Sequence, residues 1–177
     1  MGENRGTSAD ESRDSAGVGR LHLRFGWWAL LTFLSLGIVL EGMHGFKVGW
    51  YLDVSSGPRR IMLTLAHAHG TLLALINIAF AVTVATHPGP SRGLASASRL
   101  LLAATVLLPM GFLAGGLFLH AGDPGLGRLL VPLGGVVLFL GVLLAARSLS
   151  PPSSTETGDR DQGKGSEQEA SGDSTAR

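Results

Sequence analysis

Hydrophobic residues in this chain fall into four long runs, separated by short polar segments and flanked by polar ends. Phe25–Leu40 is sixteen residues without a charge, Ile61–Thr86 is twenty-six, and Leu129–Ala146 is eighteen. The remaining run, from about residue 99 to 120, is apolar apart from its ends. At about 1.5 Å per residue, Ile61–Thr86 is long enough to cross a hydrocarbon layer of about 30 Å, and the others come close to that length or reach it with their flanking residues. No run alternates with a period of two, which excludes a transmembrane barrel. The pattern predicts an all-α fold: an integral membrane four-helix bundle running up-down-up-down, with spans at about 25–46, 61–86, 99–120 and 129–146. The joining segments, 47–60, 87–98 and 121–128, are rich in Gly, Pro and Ser, as helix-breaking turns are.

The two ends predict something else. Residues 1–20 and 149–177 are small, polar and charged, with little apolar surface to bury, so disordered tails are expected there. Pro109 in the third run should kink its helix, because it leaves the carbonyl of Thr105 without a donor. Pro132 falls in the first turn of the fourth, where proline is tolerated.

Charge changes the picture because it is segregated. The tails hold ten of the thirteen acidic residues, leaving Glu41, Asp53 and Asp123 between them. Eight basic residues share that central region, at the ends of apolar runs. This placement suits lipid headgroups and topology signals rather than nucleic acid. With four spans, both termini lie on one side. Arg13, Arg20, Arg24, Arg92, Arg99 and Arg147 fall on that side, against Lys47, Arg59, Arg60 and Arg128 on the other. The bias favours a cell membrane (inner or plasma) location with cytoplasmic termini. Trp27-Trp28 and Trp50-Tyr51 suit the two aromatic belts. There is no cysteine, which removes disulfides, thiolate catalysis and Cys-ligated metals. Arginine outnumbers lysine twelve to two, a bias expected of a bacterial coding background.

Candidate chemistry follows from topology. Glu41 and His44 share a face at i, i+3 near the end of the first span. His67 and His69 lie in the first third of the second span, and His120 ends the third, so all five collect at the end opposite the tails. Ionisable groups at membrane depth are costly and need partners. One reading is structural. Glu41 pairs with Lys47, Arg59 or Arg60, His67 bonds a carbonyl across helices, and Asn77 makes an interhelical hydrogen bond. Gly111, Gly115 and Gly116 offer a close-approach surface for a neighbouring helix. A second reading is a metal site for Cu, Zn or Fe, using Glu41, His44, one of His67 and His69, and His120. His67 and His69 are about 200° apart on a helix, so only one can face a shared centre.

The string Ala66-His67-Ala68-His69-Gly70 resembles the His-x-His helix of haem–copper oxidase-like membrane proteins. The resemblance implies a b-type haem held by His44 with His67 or His69, with Gly70, Gly115 and Gly116 giving room for the porphyrin. The chain has too few spans and histidines for an oxidase core. A third reading is a small transporter or channel subunit, which needs an oligomer to enclose a path. Phosphate-loop and His-Glu-x-x-His motifs are absent. The sequence thus predicts a structural or accessory membrane component first, whose partners are the lipid bilayer and other membrane proteins or itself.

Overall fold

The computed structural model describes residues 4–52, 57–86, 93–118 and 127–149. Four long helices and one short turn of helix make up the fold. They are α1 (Asn4–Gly45), α2 (Gly49–Leu52), α3 (Gly57–Thr86), α4 (Leu94–Leu117) and α5 (Gly127–Leu149). All four long helices contain stretches long and apolar enough to span a membrane. They pack as antiparallel neighbours.

The helices stand in chain order. α1 packs on α3, α3 on α4, and α4 on α5, while among the described residues α1 touches α4 only slightly and makes no contact with α5. The arrangement is an open row with α3 and α4 at its centre. The most apolar stretch is 39% buried in α3 and 50% in α4, against 17% in α1 and 11% in α5, so α1 and α5 are the edges. Both described ends of the chain lie at one end of this row, called the terminal face below.

Close approach is built from glycine. Apolar side chains gain little by leaving lipid for one another, so packing depends on shape. The Phe33 ring of α1 sits where a Cβ on Gly70 of α3 would be, and the His67 ring occupies the same place over Gly37. Between α4 and α5 the backbones meet. A Cβ on Gly127 would lie 2.6 Å from the Gly111 carbonyl oxygen and the Gly115 nitrogen. Gly116 faces the other way, toward Leu63 of α3.

One expectation about local structure changes. α1 begins at Asn4, although disorder is expected through residue 20. Composition alone misses this because the segment is small rather than apolar. From Ser15 onward it lies against α3, with Ser15 and His22 buried and Val18 packed against the cluster of Phe80, Val84, Leu94, Ala97 and Leu101. The expected acidic tail from residue 150 lies outside the described residues. α4 runs as one helix through Pro109, which is among the most buried residues.

α1 ends in a Schellman-type turn. The Val48 N–H donates to Met43 O at 3.0 Å and the Lys47 N–H to His44 O at 3.2 Å. Lys47 takes the left-handed position usually held by glycine, with φ at 53°. Beyond it, Tyr51 of α2 is buried with Leu40 and Leu63.

Candidate functional site

The most completely enclosed polar group is near the terminal face. His22 of α1 is 0% exposed, as is Asn77 of α3, and Ser98 of α4 is 5% exposed. His22 Nδ1 lies 2.7 Å from Asn77 Oδ1, and Nε2 lies 2.8 Å from Ser98 Oγ. The Asn77 amide nitrogen donates to Leu73 O at 2.8 Å and to Thr105 Oγ1 at 2.7 Å. A carbonyl can only accept, which fixes the orientation of the amide. Asn77 Oδ1 is therefore the acceptor for a proton on His22 Nδ1. In the neutral ring, Nε2 then accepts from the Ser98 hydroxyl. Thr105 Oγ1 passes its own proton to Leu101 O at 2.8 Å. Phe80 meets the imidazole at an angle of 61°, with centroids 4.7 Å apart. The result is a directional chain of hydrogen bonds through α1, α3 and α4.

Ser98, His22 and Asn77 have the connectivity of a nucleophile, a base and an orienting group. Their surroundings make the same geometry a strut. Ser98 is 5% exposed, so a substrate carbonyl reaches its oxygen only if the helices part. Asn77 is anchored twice more, to α3 itself and to Thr105. In a low-dielectric interior, a fully satisfied network of this kind fixes which helix faces which.

At the opposite end, Glu41, His44 and His67 line one cavity between α1 and α3, of about 520 Å³, together with Gly37, Tyr51 and Thr64. Glu41 and His44 are exposed and His67 is half-buried. His67 Nδ1 donates to the Phe33 carbonyl of α1 at 2.8 Å. His69 is directed elsewhere. Its Nδ1 donates to Leu65 O at 2.9 Å, and its ring lies against Phe112 of α4 with centroids 4.9 Å apart. The wide angle between these neighbouring histidines thus becomes contact with two different helices. His120, Asp53, Asp123 and His87 lie outside the described residues.

The glycines read as room for a porphyrin are met by close neighbours. The hollows at Gly70 and Gly116 are filled by Phe33 and Leu63, and Gly115 lies against Gly127. His67 and His69 face opposite neighbours. Among the described residues, no three His, Asp or Glu side chains are placed to hold a metal ion.

Arg59, weighed in the sequence as a partner for Glu41, is committed elsewhere. Its Nη1 donates to Trp50 O at 3.0 Å and its Nε to Gly116 O at 3.3 Å. The guanidinium stands 4.5 Å over the Trp50 ring. One side chain thus clasps α2, α3 and the end of α4, combining a cation–π contact with carbonyl bonds.

His22 lies before the first predicted span, and the hydropathy pattern singles out neither it nor the hydroxyls of Ser98 and Thr105. A signal for His22 was present. Ser15, Gly19, His22, Gly26, Phe33 and Leu40 follow the alternating four-three spacing of one helix face, across the boundary drawn at residue 20.

Comparison with known proteins finds no matching family, no matching curated protein and no matching solved structure. The fold itself defines the class: this is a four-span helical membrane protein.

Proposed function

We propose that the chain is a structural or accessory membrane component, one that works by lateral association with other membrane proteins or with its own copies. Its setting in this reading is the cell membrane with both termini cytoplasmic, on the arginine count at the helix ends. The observation that carries the proposal is the open row: among the described residues α1 and α5 do not meet, which leaves two long apolar edges without a helix neighbour. The polar interior supports it, since His22, His67 and His69 all spend ring nitrogens on bonds within or between helices.

The outer edge of α1 carries a seam suited to a partner helix. Trp28, Thr32, Ser35, Val39 and Gly42 recur at the alternating four-three spacing of helix seams. Thr32 and Ser35 are exposed and bond their hydroxyls to Trp28 O and Leu31 O, at 2.9 and 2.8 Å. They are therefore small, internally satisfied contacts. Gly42 has no neighbour within 4 Å of a built Cβ.

Single cysteines test this proposal in a chain that has none of its own. Thr32→Cys, Ser35→Cys and Val39→Cys, treated with a bifunctional maleimide in native membranes, should each give adducts of discrete mass, and buried Ala74→Cys should give none. If every exposed position on α1, and Val136→Cys and Phe139→Cys on α5, stays at monomer mass, association is refuted.

A further inference from the structure

At the terminal face, small side chains on α1 and α3 leave a largely apolar cleft of about 520 Å³. Gly19 and Leu23 form one wall, Ala81, Val82 and Ala85 the other, and Arg20 stands at the edge. The cleft is wide because its walls are small. A Cβ built on Gly19 would meet only the Ala81 carbonyl oxygen, at 3.6 Å. Beside it on α1 is a second hollow of about 480 Å³, formed by Leu23, Arg24, Trp27, Trp28 and Leu31.

The charges near these hollows are ordered. At about 100° per residue, Arg13, Arg20 and Arg24 fall within about 40° of one another around α1. All three are exposed, and neither Arg20 nor Arg24 is ion-paired among the described residues. One turn deeper, Trp27 and Trp28 are 59% and 68% exposed. Moving along α1 from the terminal face, a lipid therefore meets guanidinium groups, then indoles, then Leu31, Leu34 and Ile38. Headgroup-level cations followed by interfacial aromatics mark the lipid boundary.

The geometry points to a site for one anionic phospholipid of the leaflet at the terminal face. Its phosphate lies between Arg13 and Arg20, on the terminal side of the cleft, and an acyl chain runs inward through the cleft between α1 and α3. The two halves of the site have complementary needs. The cleft offers mainly methyl, methylene and glycine surface, with Ser15 as its one hydroxyl, which suits hydrocarbon. Its edge offers planar donors that match phosphate oxygens. An amphiphile with one anionic end satisfies both, whereas a soluble anion satisfies only the arginines and a zwitterionic lipid brings a second cation to them.

Tryptophan quenching tests the site. In a Trp50→Phe background, Trp27 and Trp28 are the only indoles. The full chain is reconstituted in vesicles in which either phosphatidylglycerol or phosphatidylcholine carries dibrominated acyl chains. Quenching should favour phosphatidylglycerol by about fivefold, the scale expected of one arginine at the membrane surface. Arg13→Gln with Arg20→Gln should bring the two lipids to equality. Gly19→Leu, which fills the cleft and leaves the charge alone, should lower the preference with the helical circular dichroism unchanged. Inorganic phosphate, exchanged for chloride at constant ionic strength, should displace nothing. Equal quenching by both lipids in the parent chain would overturn the proposal. So would a preference that survives both arginine replacements, one indifferent to Gly19→Leu, or displacement by inorganic phosphate.

Discussion

His22→Ala should destabilise the helix assembly by about 3 kcal/mol, because it empties a fully enclosed site and orphans the groups around it. The cavity is expected to dominate. Interhelical hydrogen bonds in membranes average only about 0.6 kcal/mol, since the separated helices also find partners. An aromatic-sized ring removed from a close-packed core costs about 3–5 kcal/mol. His22→Phe separates the two terms: it keeps most of the volume and leaves Asn77 Oδ1 and the Ser98 hydroxyl without the imidazole, for an expected loss of about 1–2 kcal/mol. Unfolding in mixed micelles, followed by circular dichroism, should rank the parent above His22→Phe and His22→Phe above His22→Ala. Equal stability of parent and His22→Ala would mean that the network does not tie α1 to α3 and α4.

Gly127→Ala is expected to be the second large loss, of about 2–3 kcal/mol by overpacking. The new methyl would lie 2.6 Å from backbone atoms of Gly111 and Gly115 and 2.8 Å from Gly115 Cα. No rotamer change relieves a clash with backbone, so α5 must move away from α4, its only helix neighbour among the described residues. Gly135→Ala on the same helix is the control. Nothing lies within 4 Å of its built Cβ, and alanine is the better helix former by about 1 kcal/mol. The same unfolding assay should therefore show opposite signs for two identical substitutions eight positions apart. Equal effects would place the α4–α5 contact elsewhere.

The four spans were legible because run length and the absence of charge are one-dimensional properties, and a hydrocarbon layer imposes them directly on sequence. The start of α1 was not, because Ser15–Arg20 earns its helix from what it packs against. Small residues read as disorder in composition, yet they let α1 lie close to Ala81 and Val84. The row also needed the structure, since hydropathy cannot say whether the first and last helices of four meet.

The polar groups divide in the same way. Topology carried Glu41, His44 and His67 to one end, where they border one cavity. It gave no view of the acceptors: the Phe33 carbonyl takes the His67 proton, and Leu65 O takes that of His69. A main-chain oxygen is invisible in a sequence, because every residue has one. Arg59 illustrates the same limit. Charge pairing suggested Glu41, whereas the side chain reaches two carbonyls and an indole. His22 was hidden because its three partners, Asn77, Ser98 and Phe80, come from helices 55 to 76 residues away.

The central claim is that the imidazoles inside this membrane protein are fasteners between helices. The most direct test is the visible spectrum and elemental analysis of protein purified from metal-replete cells. The expected result is no Soret band and Cu, Zn and Fe well below one equivalent per chain, with His44→Ala and His67→Ala indistinguishable from the parent. A Soret band, or one equivalent of metal that disappears in either variant, would contradict it.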